Sequence, residues 1–517
     1  MSAHTDSESS LGSLAEPLAR TLADLAEMDV VSRLWNRDHT LWSPEPTEIV
    51  DRMGWLSVLD DMEAERGRID DFVARLHRDG FTHCLVMGMG GSSLFPEVIA
   101  RSFPTGPSGL ELHVLDSTDP AAVARTVAAL PEGRTFHLAS SKSGGTIETR
   151  SHLEFFWERV GRPEAFGVVT DPGSDLGDLA RQRGFREVFE NRADIGGRYS
   201  ALSFFGLVPA ALAGVDWYVL VERAREVLVA LRSPDPSVNP GLWLGALMGA
   251  AVRDGRDKLT LVVDPAIEVL ALWVEQLVAE STGKAGTGLV PVVDEPIGPA
   301  DVYGSDRFFV AVGEVDHPVG LEVLAESGQP VVGIGLNDPL DLGAQTLVWE
   351  VATAVACAVL GVNPFDQPNV AEAKDATNRV LSEGAELPSS PPLVDLLATV
   401  APGDYLSIHA YVDPEGEEYE ALEELRLELR DGLGVAVTLS PGPRFLHSAG
   451  QLHKGGPTTG VFLQVVGEDH LDAAIPGRDF SFGQLKRAQA DGDLIALNAH
   501  GLRVGRYSVA DLVSWRV

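Results

Sequence analysis

The run THCLVMGMGGSS, residues 82–93, decides the fold. Its centre, Cys84–Met87, is apolar without polar alternation, so it reads as a strand covered on both faces. A glycine-rich turn hands it straight to a helical stretch, PEVIARSF (96–103). The pattern then repeats. LELHVLD (110–116), RTFHLAS (134–140), AFGVVTD (165–171) and REVFE (186–190) read as strands. PAAVARTVAAL (120–130) and ETRSHLEFFWERV (148–160) read as helices between them. Such alternation predicts a doubly wound α/β unit around a parallel sheet.

Toward the N-terminus, residues 11–80 carry an amphipathic helical pattern, with Leu11, Leu14, Leu18 and Leu22 on one face, and residues 1–10 read as a tail. Toward the C-terminus, 199–256 is largely helical. A second strand–helix set follows: KLTLVVD (258–264), GLVPVVD (288–294), RFFVAV (307–312) and QPVVGIGL (329–336), closed by a helix around Leu347–Leu360. Ser382 to Pro392, with its SS and PP pairs, reads as a linker. Beyond it lie DYLSIHAYVD (404–413), GVAVTLS (434–440) and GVFLQVV (460–466). The predicted organisation is a helical segment (1–80), a first α/β unit with a helical extension (81–256), a second α/β unit (257–385) and a C-terminal α/β extension (400–517).

The 517 residues hold 40 Lys+Arg against 76 Asp+Glu, a net charge of −36. That field repels nucleic acid and anionic membranes, so neither is expected as a partner, and any phosphate site must be built locally. The two cysteines, Cys84 and Cys357, cannot make a disulfide framework or a zinc cage. Both lie in apolar runs and read as buried thiols. The opening MSAHTDSESS lacks the charged and apolar regions of a signal peptide. The longest apolar run, Val351 to Val362, is shorter than a bilayer requires and reads as a core helix. A cytoplasmic protein is expected.

Six segments carry candidate chemistry. Gly88–Ser93 and Ser140–Thr149 are both strand-to-helix turns, where glycines let an anion approach helix N–H groups. The second adds Ser141, Lys142, Ser143 and Thr146, a set suited to phosphate oxygens, while Glu148 and Thr149 read as helix-start residues. The alternative for the first turn is plain helix-on-strand packing. Gly196-Gly197-Arg198 offers either a guanidinium in a cleft or a surface ion pair. In WVEQLVAESTGK (273–284), Trp273, Gln276, Leu277 and Glu280 share one helix face and Glu275 points elsewhere. A carboxylate beside that apolar stripe is desolvated, which suits a general base, unless it merely caps the helix end. NPFDQPNVAEAK (363–374) places Gln367 and Lys374 at a loop entering a helix. RFLHSAGQLHKGG (444–456) holds His447 and His453, which suit proton transfer or a surface loop better than metal.

In the order GMGGSS, SKSGGT, GGRYS, AESTGK and FDQPNVAEAK, these segments resemble the glucose-6-phosphate isomerase family. The chain is similar in particular to the isomerase half of transaldolase–isomerase fusion proteins, through its RLW (33–35), LW (41–42) and HSAGQLHKGGP (447–457) segments. The length leaves no room for a transaldolase domain, so a free-standing isomerase is expected.

The resemblance implies two sugar-isomerase (SIS) domains, each with a five-stranded parallel sheet, and a C-terminal extension. It implies that Gly91, Ser92, Ser141, Lys142, Ser143 and Thr146 hold phosphate, and that Gln276 and Gln367 line the sugar. Glu280 would move a proton between carbons 2 and 1, Arg198 would stabilise the enediolate, and Lys374 would open the ring with a histidine. No cofactor or metal is implied, and the expected partner is a phosphosugar, with a homo-oligomer left open.

The chain also departs from the family. Gly145 replaces a hydroxyl residue of the family's SKSGTT pattern. The Gly-Val-Glu before the lysine reads Asn369-Val370-Ala371. The region where the ring-opening histidine belongs reads VYGSDRFF (302–309), without a histidine. The expectation is that the C-terminal segment folds back and returns His447, with His453 second. Two other functions stay open: a dual phosphoglucose/phosphomannose isomerase and a non-catalytic phosphosugar-binding protein.

Overall fold

The structure, a computed structural model, describes residues 10–315 and 318–515. Three parallel sheets organise it. The first holds β1 (His83–Met87), β2 (Glu111–Leu115), β3 (Thr135–Ser140), β4 (Phe166–Thr170) and β5 (Glu187–Glu190), in the order β2-β1-β3-β4-β5. The second holds β6 (Lys258–Val263), β7 (Val290–Val292), β8 (Arg307–Val312) and β9 (Val331–Ile334), in the order β7-β6-β8-β9. The third holds β10 (Tyr405–Tyr411), β11 (Ala436–Pro441), β12 (Gly460–Val466) and β13 (Arg503–Tyr507), in the order β11-β10-β12-β13. Every pairing between these strands is parallel. The α/β class with parallel sheets is therefore as the alternation predicts.

Several details differ. The second sheet has four strands, not five, because the chain passes from β9 into the helix Leu342–Leu360 and next becomes a strand in the third sheet. The strand β13 was not anticipated; its residues RVGRY are mixed polar and apolar, and it lies at the edge of its sheet. Ser10, read as tail, makes an antiparallel bridge to Val331, while the rest of that predicted tail lies outside the described residues.

The central helix is also longer than its apolar run. Every residue from Leu342 to Val359 is buried, including Gln345, Thr346 and Glu350, so burial continues through polar positions that end the apolar reading. It lies against the helix Pro240–Arg253, whose Gly241, Gly245 and Gly249 form a groove that takes Val351, Val355 and Val359. A Cβ at Gly245 would come within 2.4 Å of Ala352 O. Cys84 and Cys357 are both free and buried.

Candidate functional site

The site lies where the first and second sheets meet the C-terminal extension. After β1, Gly90 takes a left-handed φ of 54°, and a Cβ on Gly91 would lie 1.9 Å from Gly197 O. The turn therefore presses backbone to backbone against the Gly197–Tyr199 segment, which only glycine permits. Ser92 is buried in the turn. Ser93 Oγ donates to Asp116 (3.1 Å), and Asp116 accepts two bonds from Arg444, at 2.8 and 2.9 Å. That fork locks residues 444–447 over the first turn.

The second turn opens the helix Ile147–Val160. Ser141 and Thr146 hydroxyls lie 2.9 Å apart, and Ser143 Oγ accepts from the Gly145 N–H. Lys142, expected to face phosphate, is engaged elsewhere. Its ammonium pairs with Asp171 and donates to Ala193 O at 2.8 Å, and it does not line the cavity beside this turn. The reason is topological: β4 neighbours β3, so the residue following β4 lies against this turn, and Asp171 N donates to Lys142 O.

Arg198 is buried and bonded inward, not paired at the surface. Its Nη1 donates to Glu280 O (2.8 Å) and Pro364 O (3.0 Å). Its Nη2 reaches Phe365 O, Asp366 O and Gln367 Oε1 at 3.4, 3.1 and 3.2 Å. Nε lies 3.3 Å from the Glu280 carboxylate. One guanidinium thus joins the helix Leu270–Thr282 to the loop carrying Gln367. Lys284 buttresses the same loop through Asn363 O and Asp366 (2.7 Å), and burial, with Arg198 nearby, pulls its pKa down to about 8.

Gln276 bridges two segments. Its Nε2 donates to Glu280 Oε2 (3.1 Å) and to His447 O (2.8 Å), while its buried Oε1 has no partner. A buried amide oxygen left open costs about 1–3 kcal/mol, which a ligand hydroxyl would recover.

The returning C-terminal segment brings His447 to the second turn. Its Nε2 is 2.8 Å from Glu148 Oε1, to which Gln489 also donates at 2.6 Å. Burial works to raise the Glu148 pKa, but His447 and Lys374 outweigh it and hold the carboxyl below its ordinary range. Thr146, Glu148, Lys374 and His447 line one cavity of about 220 Å³. His453 does not reach it. It is buried against His409, ring centroids 4.6 Å apart, in the interior of the third sheet's layer.

Three residues here were not foreseen. Glu148, read as a helix-start residue, is a buried partner of His447. Gln489, from the helix Phe482–Ala499, is its second neighbour. Ser448 donates to Glu275 at 3.1 Å, tying the His447 loop to the far face of the helix Leu270–Thr282. The carboxylate two residues into a helix was the one available signal for Glu148; Gln489 and Ser448 offered none.

The chain is similar to several known proteins. A family model described as phosphoglucose isomerase matches residues 69–304. A glucose-6-phosphate isomerase of a Synechococcus species is 31% identical over 373 residues, covering 61% of this chain and 70% of that relative. That of Synechococcus elongatus is 29% identical over 491 residues, covering 82% and 88%. Among solved structures, a hypothetical protein from Thermus thermophilus is similar in fold, with a TM-score of 0.60, 24% identity, and 71% and 98% coverage. A glucose-6-phosphate isomerase from Chlamydia trachomatis gives 0.55, 19%, 72% and 81%.

Proposed function

The chain belongs to the glucose-6-phosphate isomerase family, and we propose that it interconverts glucose 6-phosphate and fructose 6-phosphate at this cleft. The grouping of Glu280, Arg198 and Gln276, with a buried amide oxygen left open among them, carries the reading. Aldose–ketose exchange moves a proton between carbon 2 and carbon 1 through an enediolate. Glu280 is the group that takes and returns it.

Arg198 offsets the negative charge that grows on the sugar oxygens, an effect of roughly 3 kcal/mol or more in a water-poor site. Its N–H groups already have acceptors, so it acts through fixed charge, or gives up Gln367 to bond the substrate directly. Gln276 Oε1 accepts from a sugar hydroxyl. Phosphate is held by the hydroxyls of Ser141, Ser143 and Thr146 and the helix start behind them, with Gly91 and Ser92 contributing from the first turn. Lys142 joins only by leaving Asp171. Glu148 orients the His447 imidazole, which with Lys374 opens the ring. The reaction as written requires no redox cofactor or metal.

Finer likeness to the isomerase half of transaldolase–isomerase fusions is part of the proposal. Support comes from Trp42, whose ring meets Phe365 edge-on at 5.4 Å and whose Nε1 donates to Ala354 O. The fusion-like segment thereby seats the loop that Arg198 grips. The division at 80, 256 and 385, with two sugar-isomerase units, belongs to the same proposal. A cytoplasmic setting follows from a role in glycolysis and gluconeogenesis.

Solvent deuterium exchange into fructose 6-phosphate tests it. Wild type should incorporate carbon-bound deuterium, and Glu280→Gln should slow incorporation by about 10²–10⁴-fold. Undiminished exchange in the variant would remove Glu280 as base. An inert wild type that still binds the sugar would favour the binding-protein reading. Mannose 6-phosphate as a second substrate separates the dual isomerase.

A further inference from the structure

At the opposite end of the first sheet, β1 and β2 bring two histidines and a carboxylate together. The register pairs His83 with Glu111 and Leu85 with His113. Alternate residues of a strand share a face, so His83, Glu111 and His113 project from the same side. Glu111 Oε2 lies 3.3 Å from His83 Nε2, and Glu111 Oε1 lies 3.4 Å from His113 Nε2. All three donor atoms lie within 4.8 Å of one another. The imidazole planes are nearly parallel, 12° apart with centroids at 5.5 Å.

Two details distinguish this cluster from a chance ion pair. His113 Nε2 is buried and has no hydrogen-bond partner, an orphan polar atom facing the carboxylate. Thr82 Oγ1 is 2.9 Å from His83 Nδ1. A proton on Nδ1 can be donated to that hydroxyl, which leaves the Nε2 lone pair directed at the shared point. Bonds of about 2.0–2.1 Å to nitrogen in a tetrahedral site set neighbouring ligand atoms about 3.3 Å apart. The two histidine–carboxylate spacings match that edge, each through a different oxygen of Glu111, and the remaining ligand-atom spacing is within 4.8 Å.

We propose that His83, Glu111 and His113 bind one divalent transition cation of the zinc class, with the open side left to water. Two imidazoles favour such ions over magnesium or calcium, which prefer all-oxygen sets. The site is remote from the cleft. From His83 to the end of β1 at Met87 the strand rises by about 13 Å, and the phosphate-facing turns lie beyond that end. The ion would staple edge strand β2 to β1, so its effect falls on stability and not on turnover.

The experiment uses full-length protein freed of metal by chelator. Zinc is titrated by calorimetry, and cobalt is added to read the ligand field from its visible bands. Wild type should bind one equivalent at this site, and its melting midpoint should rise with zinc. His113→Ala and His83→Ala should each weaken binding by 100-fold or more and abolish the rise, with isomerase turnover unchanged. Glu111→Gln, at a more exposed position, gives the same test should a histidine variant fold poorly. The proposal is overturned if wild type takes up no zinc at 1 mM, or if these variants retain wild-type affinity and cobalt spectra.

Discussion

Single atoms decide how the proposed phosphate turn works. Gly145 is the position where the chain lacks a hydroxyl that the family pattern supplies. A Cβ there would meet nothing nearer than Ser143 Oγ at 4.0 Å, and its backbone is not left-handed. Gly145→Thr should therefore be accommodated and add one hydrogen bond to phosphate, lowering KM for fructose 6-phosphate about fivefold for roughly 1 kcal/mol. Steady-state kinetics checks this, and a raised KM would show that the open space serves another purpose. The residue types were legible at this scale; their partners were not. Lys142 has the right chemistry for phosphate but is held by Asp171, 29 residues away. Glu148 looked like a helix-start acid, and its partner is 299 residues distant.

Among the elements, the helix Leu270–Thr282 carries Gln276 and Glu280 of the proposed site and is buried nearly all round. The spacing of Gln276 and Glu280 put both on one face, and the structure agrees. Glu275 points to another side, as expected, but into a separate cavity of about 790 Å³. There burial, only partly opposed by the Ser448 hydroxyl, pushes its carboxyl from an ordinary 4.5 up to about 7. The sign follows from linkage. With the folded pKa above the unfolded one, the stabilising contribution is complete below pH 4.5 and is lost as pH rises to about 7. The loss amounts to about 3 kcal/mol at most. Glu275→Gln should remove that decline, so its advantage in denaturant melts should be small at pH 4.5 and grow to a plateau above pH 7. A pH-independent difference would contradict the assignment. Helical period revealed which residues share a face, but not that both faces would be buried.

At the scale of the molecule, the C-terminal extension closes the proposed site. Arg125 pairs with Asp413, Lys486 with Asp119 and Arg444 with Asp116, which fasten the extension to the first sheet's unit. Arg426 donates to Val293 O and Asp294 O, which fastens it to the second. His447 is delivered by the same chain that carries Glu280, so the proposed site is complete within one copy. Turnover per chain should then hold constant as enzyme is diluted from micromolar to nanomolar. A steep loss on dilution would mean that a second copy completes the site. The surplus of negative charge remains mostly an exterior property, since few of the 76 acidic residues, Glu148, Glu280 and Asp493 among them, are buried. The sequence alone determined the parallel α/β architecture, because strand burial and helical period are written in neighbouring residues. It also determined which residue types crowd the turns. Only the tertiary structure decided that His447 rather than His453 reaches the cleft, that Glu148 receives it, and that Lys142 is held by Asp171. Those outcomes depend on where distant segments meet, and short-range physics along the chain carries no record of that.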